Sequence, residues 1–179
     1  MKKGIRHARF SFQPLNPQHD IAGFRSGSGA LDGFLQQQAL TEMVHNWSCT
    51  TVMLERQPES KSSVIGYFTL RAAHEFIKED GDKLPVHLPV VELVYLARHI
   101  RMSYKATGES FGNVLLVRAL RQVLTASESI GIAGVQIMEH TEEGRKLYAR
   151  HHFRKHPCEG YESNYFLSIP EIRLDVAKY

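Results

Sequence analysis

One short segment of the chain has residue types that suit a phosphate group. Residues 105–112 read Lys-Ala-Thr-Gly-Glu-Ser-Phe-Gly and lie between a strand-like and a helix-like apolar run. A turn of small residues that opens a helix can aim several backbone N–H groups at one anion, and the helix dipole favours negative charge there. Gly108 permits a positive φ and a close backbone approach, and Lys105 adds a full positive charge. The segment predicts a site for a phosphate-bearing cofactor, with an ordinary tight turn as the alternative.

The secondary structure around this turn is predicted from hydrophobic periodicity and turn residues. A helix is expected from Ser28 through about residue 43, a second from the turn to about residue 128, and a third over residues 141–151. The expected strands are residues 7–15, 49–56, 64–73, 90–102, 130–138, 153–156 and 162–169. This order predicts an α/β fold with a mixed sheet and helices on its faces. The length of 179 residues suits a single domain over residues 1–179.

Composition limits where the protein acts. Apolar residues make up 42% and charged residues 23% of the chain, as in ordinary globular proteins. No apolar run approaches the roughly 18–20 residues that span a bilayer, and no apolar segment of a secretory signal follows the basic N-terminus. Cys49 and Cys158 are the two cysteines. They imply no disulfide framework, so we expect a cytoplasmic protein.

Basic residues are concentrated in two groups. The first occupies residues 2–9 and the second residues 145–156. Their members are Lys2, Lys3, Arg6, His7 and Arg9, and Arg145, Lys146, Arg150, His151, His152, Arg154, Lys155 and His156. Such groups form either solvated faces or phosphate-binding surfaces, and the sequence leaves both interpretations open.

The turn resembles the acetyl-CoA signature of the GNAT acetyltransferases, Arg/Gln-x-x-Gly-x-Gly/Ala-x-Gly. Lys105 stands where Arg or Gln is usual and Ser110 where Gly or Ala is usual. The resemblance implies a GNAT fold, with a mostly antiparallel sheet, flanking helices and a splayed acetyl-CoA cleft. It implies that acetyl-CoA is the cofactor and that its pantetheine arm pairs with a strand ending at Ile100, Arg101 and Met102. The cofactor-binding residues of the turn would be Lys105, Ala106, Thr107, Gly108, Glu109, Ser110, Phe111, Gly112 and Asn113, with the pyrophosphate on the backbone of residues 107–113.

A second segment matches the same family. Residues 147–153 read Leu-Tyr-Ala-Arg-His-His-Phe and resemble Phe/Leu-Tyr-x-x-x-Gly-Phe, with His152 in place of Gly. The resemblance implies that Tyr148 is the general acid that protonates the departing CoA thiolate, a role open to a phenol at neutral pH. The alternative is a half-buried helix residue. Thr141 stands where the family often has Asn. Glu92 and His99 are candidate general bases by type and location.

The N-terminal third resembles one group within that family, the GNAT toxins of bacterial toxin–antitoxin modules. Their opening commonly reads Phe-x-Cys-Gly-x-x-x-Leu-Asp-x-Phe-Leu, and residues 24–35 match it with Ser26 in place of Cys. Residues 64–70 and 96–98 are also similar. The resemblance implies acetylation of the α-amine of aminoacyl-tRNA, which blocks translation, together with a homodimer and a ribbon-helix-helix antitoxin. It also favours binding of the tRNA acceptor stem by Arg145, Lys146, Arg150, Arg154 and Lys155.

Three alternatives to this function remain at the level of sequence. The first is a GNAT that acetylates a protein N-terminus, a lysine or a small-molecule amine, and the second is a binding module without turnover. The third is a metal site formed by His151, His152, His156 and Cys158, whose spacing matches no standard zinc pattern.

Overall fold

The computed structural model describes residues 10–55, 62–77, 86–108, 110–139, 141–155 and 164–179. Seven strands and six α-helices are described along the chain. The strands are β1 (Phe10–Pro14), β2 (Cys49–Glu55), β3 (Ser63–Ile77), β4 (Val86–Arg98), β5 (Gly134–Met138), β6 (Arg154–Lys155) and β7 (Asn164–Ser168). The helices are α1 (Gly29–Gly33), α2 (Ala39–Val44), α3 (Tyr104–Thr107), α4 (Phe111–Ser127), α5 (Glu142–Arg150) and α6 (Ile169–Val176), and a π-helical turn, Phe34–Gln38, joins α1 to α2.

The strands form one sheet in the order β1-β2-β3-β4-β5-β7-β6. β1 pairs antiparallel with β2, and β7 pairs antiparallel with both β5 and β6. β4 and β5 are parallel, with Val91 opposite Val135. α4 connects these two strands, as a parallel pair requires a long crossover. The predicted mixed α/β sheet with flanking helices is therefore confirmed.

The chain divides into two compact units. The first holds the described residues up to Thr69 together with Tyr95–Leu116, and the second holds Leu70–Val94 and Val117–Tyr179. The long strands β3 and β4 therefore contribute to both. The assignment of residues 1–179 to a single domain stays a prediction.

The apolar stripe predicted after Ser28 lines the core of the first unit. Its helical spacing places one face inward, and the buried cluster includes Phe24, Phe34, Leu35 and Ala39, with Leu31 packed against it. The adjoining loop is bonded to this helical segment. Gln36 Nε2 donates to carbonyl oxygens of residues 21, 22 and 24 at 3.2–3.3 Å. These bonds fix the loop that precedes α1.

The core of the second unit includes inward-facing residues of β5 and β7 and one face of α5. Its buried members include Val135, Ile137, Leu147, Tyr148, Phe153, Tyr165, Leu167 and Ile172. α6 was not anticipated, although its sequence carries a start signal. The side chains of Ser168 and Glu171 cap each other's backbone N–H groups, and Pro170 occupies the first turn, which is a capping box.

Two strand predictions are wrong at their ends. The strand expected over residues 90–102 is β4, which begins at Val86 and ends at Arg98. Pro89 lies inside it, and its carbonyl oxygen accepts the Ala133 N–H at 2.8 Å. The strand expected over residues 130–138 begins at Gly134, because the N–H groups of Ser129 and Ile130 still bond to the end of α4.

The remaining predicted elements agree with the described ones to within a few residues. The hairpin expected from residues 49–56 and 64–73 is present as β2 and a longer β3, and the third helix is present as α5. The parts of predicted strands at residues 7–9, 56, 156 and 162–163 lie outside the described residues.

Candidate active site

The turn predicted to hold phosphate has the expected backbone conformation. α3 is a single helical turn, and Gly108 follows it with φ +69°. This left-handed conformation is strained for residues with a Cβ. Among the described residues, no atom beyond the two chain neighbours lies within 4 Å of the place where a Cβ would stand, so the backbone of Gly108 can be approached closely. Thr107 precedes it, with its N–H and its hydroxyl both donating to the Ser103 carbonyl.

α4 begins just after this turn. The Val114 N–H donates to the Ser110 carbonyl at 3.2 Å, which is the first bond of the helix. The N–H groups that precede such a bond point out of the helix end, where they and the helix dipole favour anions. Phe111 is buried and meets Phe10 edge to face, with ring centroids 5.3 Å apart. The Phe111 side chain therefore fixes the helix start, and Lys105 is exposed nearby in sequence.

These features fit the pyrophosphate of acetyl-CoA. The open glycine, the helix start at Phe111 and Gly112 and the exposed lysine together provide backbone donors and positive charge. Ala106 lies in α3, Ser110 and Asn113 are half-buried at the start of α4, and Glu109 lies outside the described residues.

The segment expected to receive the pantetheine arm is not a strand. Ile100–Met102 is a 3-10 turn, and each of its N–H groups donates within the protein. Ile100 bonds to the Arg25 carbonyl at 2.7 Å, Arg101 to His99 Nδ1 at 3.2 Å, and Met102 to the His99 carbonyl at 2.8 Å. The prediction of a strand ending at these residues is therefore wrong. The His99 ring accepts the Arg101 N–H, which is then not available for pairing with a neighbouring strand, and β4 ends at Arg98.

The predicted catalytic tyrosine lies on α5 in the second unit. Thr141 caps this helix, its hydroxyl accepting the Gly144 N–H at 3.1 Å. Tyr148 is 4% exposed, and its ring meets Phe153 edge to face at 5.5 Å. The helix ends with His151 and Phe153 both donating their N–H groups to the Tyr148 carbonyl. The residue is therefore held firmly by the helix and by packing.

Burial raises the pKa of Tyr148 well above its ordinary value, and the negative charge of nearby Glu139 raises it further. Both effects disfavour the phenolate. The phenol is therefore protonated at neutral pH and can donate that proton.

Both candidate general bases have other partners. Glu92 Oε2 accepts from Arg71 Nη2 at 2.6 Å. His99 Nδ1 accepts the Arg101 N–H, and its ring also bonds to the backbone of Gly23. Burial first, and then the charge of Arg101, lowers the pKa of His99. These partners favour structural roles for Glu92 and His99.

The histidines considered as metal ligands do not form a site among the described residues, where no group of three metal-ligating side chains occurs. His151 is fully buried, and its Nδ1 lies 2.5 Å from Asp175 Oδ2. His152 is exposed and bonds to Lys178 Nζ at 3.0 Å. His156 and Cys158 lie outside the described residues.

The lysines and arginines of the C-terminal basic group are exposed side chains on α5 and β6. They are Arg145, Lys146, Arg150, Arg154 and Lys155. Some of them have acidic partners. Lys146 lies 3.4 Å from Glu142, and Arg154 pairs with Glu171. The N-terminal basic group lies outside the described residues.

Two contacts at the ends of the α5 segment are not predicted from the sequence. Glu139 lies beside the start of α5, and Asp175 bonds to His151 from a position 24 residues further along the chain. The capping box of α6 was the available signal that another element follows β7, but nothing in the sequence pairs Asp175 with His151.

No protein-family model matches the sequence. A tRNA-acetylating toxin of Mycobacterium tuberculosis (strain ATCC 25618 / H37Rv) is 24% identical over 145 residues, which cover 81% of this chain and 84% of the relative.

Solved structures are similar over nearly the whole chain. A Tyr→Phe mutant of KacT has a TM-score of 0.79 at 21% identity, over 93% of this chain and 98% of that chain. AtaT complexed with acetyl-methionyl-tRNAfMet has a TM-score of 0.78 at 22% identity, over 92% of this chain and 98% of that chain. The third structure is a Tyr→Phe mutant of AtaT bound to acetyl-CoA and the C-terminus of the antitoxin AtaR. It has a TM-score of 0.74 at 22% identity, over 93% of this chain and 97% of that chain.

The chain therefore has the GNAT acetyltransferase fold. Within that class its similarity is to the AtaT and KacT toxins, so the resemblance predicted from residues 24–35 and from the glycine turn is confirmed.

Proposed function

We propose that this protein is an acetyl-CoA-dependent N-acetyltransferase that acetylates the α-amine of aminoacyl-tRNA and thereby acts as a translation-blocking toxin. The similarity to a tRNA-acetylating toxin and to AtaT in complex with acetyl-methionyl-tRNAfMet carries this proposal. The solved complexes of AtaT with acetyl-CoA support the choice of acetyl donor. The glycine turn and the buried tyrosine are the features of this chain that suit such a reaction.

The residues have separate roles in the proposed reaction. Bound acetyl-CoA supplies an acetyl thioester, and the glycine turn with Lys105 holds its pyrophosphate. Tyr148 Oη holds the proton that the departing thiolate takes. A thiol has an ordinary pKa near 8.5, below that of a phenol, so the transfer is uphill and needs the donor held within hydrogen-bonding reach of the thiolate. The acceptor amine reacts in its neutral form and loses its proton to water, and water returns a proton to the Tyr148 phenolate.

The exposed basic group on α5 and β6 is proposed to contact tRNA. Arg145, Lys146, Arg150, Arg154 and Lys155 lie on the same unit as Tyr148. Lysine and arginine contacts to phosphate provide affinity that is independent of sequence and weakens with salt. The relatives also suggest the partners. AtaT is seen bound to the antitoxin AtaR, and we propose an antitoxin partner, a homodimer and a cytoplasmic location for this chain. No helix within the described part of the chain is long and apolar enough to cross a membrane.

The test is transfer of labelled acetyl groups from acetyl-CoA to purified aminoacyl-tRNA. Deacylated tRNA, a peptide with a free N-terminus and a lysine-containing peptide serve as competing acceptors. We expect label in the aminoacyl group, recovered as N-acetyl amino acid after mild alkaline hydrolysis. The Tyr148→Phe variant should lose at least tenfold in kcat, because general acid catalysis typically contributes about 10²–10⁴-fold. It should bind acetyl-CoA normally.

The Tyr165→Phe variant is the matched control. Tyr165 is also buried in the second unit, on β7, so this variant loses a hydroxyl without touching the proposed acid. Labelling of a peptide in preference to aminoacyl-tRNA would favour the alternative function, a GNAT for another amine. Equal kcat values for Tyr148→Phe and the wild-type protein would remove Tyr148 from the mechanism.

A further inference from the structure

The carboxylate of Glu139 occupies a defined place beside the start of α5. Glu139 directly follows β5, and its Oε1 accepts the Thr141 N–H at 2.5 Å. Thr141 is the residue that caps α5. The negative charge of Glu139 therefore lies at the positive end of the helix dipole, which stabilises it.

Gly144 has no side chain, and the Glu139 carboxylate occupies the space beside it. A Cβ added at Gly144 would overlap the Glu139 carboxylate. Gly144 lies inside α5, where glycine costs about 1 kcal/mol relative to alanine. Its φ is not positive, so the contact with Glu139 accounts for the glycine and backbone conformation does not.

Tyr148 lies four residues after Gly144 and therefore on the same face of the helix, one turn further on. Glu139, Gly144 and Tyr148 thus follow one another along one side of α5. The negative charge of Glu139 contributes to the raised pKa of Tyr148, which agrees with this arrangement.

We propose that Glu139 is a positioning residue for Tyr148: its carboxylate fixes the first turn of α5 through Thr141 and Gly144, and so holds the phenol on the next turn in place. The inference rests on the proposed function, in which Tyr148 is the proton donor.

The first experiment compares Glu139→Gln with Glu142→Gln. Both variants remove one negative charge from the start of α5, but Glu142 is exposed and pairs with Lys146 on the outer surface. We expect kcat of Glu139→Gln to fall about tenfold or more, since small displacements of a catalytic group can cost as much as about 10²-fold. The KM for acetyl-CoA should stay within twofold, and Glu142→Gln should retain wild-type kcat.

A second set of variants tests the contact with Gly144 independently of activity. Gly144→Ala should displace the carboxylate in the wild-type background and so gain little stability. In the Glu139→Ala background the space is open, and the same change should stabilise the protein by the helix propensity of alanine. Equal effects in the two backgrounds, measured by thermal unfolding, would overturn the proposed contact.

A third measurement separates this proposal from the proposed function. Glu139→Gln should add no further loss of kcat to Tyr148→Phe, because it acts through the phenol. The ¹⁹F resonance of 3-fluorotyrosine at position 148 should shift in Glu139→Gln and not in Glu142→Gln. If the wild-type protein transfers no acetyl group, the proposed function fails, and the ¹⁹F result still decides the role of Glu139. Wild-type kcat in Glu139→Gln with an unchanged resonance would overturn the inference.

Discussion

Replacing Asp175 with Ala should destabilise the protein by about 3 kcal/mol. Asp175 Oδ2 lies 2.5 Å from His151 Nδ1, and the two side chains are 2% and 0% exposed. Removing one member of a buried ionisable pair typically costs about 3–5 kcal/mol, because the other stays buried and has lost that contact. Asp175 lies in the last turn of α6, where the helix dipole disfavours a negative charge. Removal of that charge therefore reduces the loss of stability by a few tenths of a kcal/mol. The net loss is therefore near the lower end of that range.

The assay is urea unfolding followed by far-ultraviolet circular dichroism. At an unchanged m value, a lower midpoint reports lost stability, and about 3 kcal/mol corresponds to a melting temperature about 6–12 °C lower for a chain of this size. The matched control is Lys178→Ala. Lys178 lies 3.5 Å from the other oxygen of Asp175, but its side chain is 53% exposed, so it should cost less than 1 kcal/mol. If Asp175→Ala were no less stable than Lys178→Ala, the proposed strength of the buried pair would be refuted.

Two further predictions concern stability. His152 has φ +62° at the end of α5, a conformation that favours glycine. His152→Gly should therefore raise the free energy of unfolding by about 1 kcal/mol in urea titrations, whereas His152→Ala should not. Equal values for the two variants would contradict this reasoning. Burial and the charge of Arg101 lower the pKa of His99 in the folded protein. The unfolded chain therefore takes up a proton at this histidine at a higher pH than the folded protein does. The stability that depends on neutral His99 should be lost as pH falls from about 6.5 through the folded-state pKa. Urea midpoints at pH 7.5 and 5.5 should therefore differ less in His99→Gln than in wild type; an equal difference would exclude His99 as the cause.

Local signals in the sequence predicted much of the fold and part of the site. The positive φ of Gly108 follows from a glycine placed between two periodic runs, and the stripe of Phe34 and Leu35 is buried as its spacing requires. The position of Tyr148 on a helix over residues 141–151 was also predicted. Each of these features depends on residues close together in the chain.

Features set by individual side-chain contacts could not be predicted in this way. β4 ends at Arg98 because the His99 ring accepts a backbone N–H two residues later, and periodicity does not register such a bond. The pairing of His151 with Asp175 joins two separate elements, which a single sequence does not connect. The Glu139 carboxylate fits beside α5 because residue 144 is a glycine. The two residues are five positions apart, and their contact can be recognised only from the three-dimensional structure.

The end of α5 has a consequence for local opening of the protein. The Tyr148 carbonyl accepts N–H groups from both His151 and Phe153, on either side of the left-handed His152. These two bonds close the helix around its terminus, so the last residues do not unwind one at a time. Motion of the Tyr148 backbone therefore requires the cooperative opening of a larger segment, and such segments open less often than frayed ends. We therefore expect the Tyr148 amide to exchange more slowly than a frayed helix end, although it lies two residues from the end of a short helix.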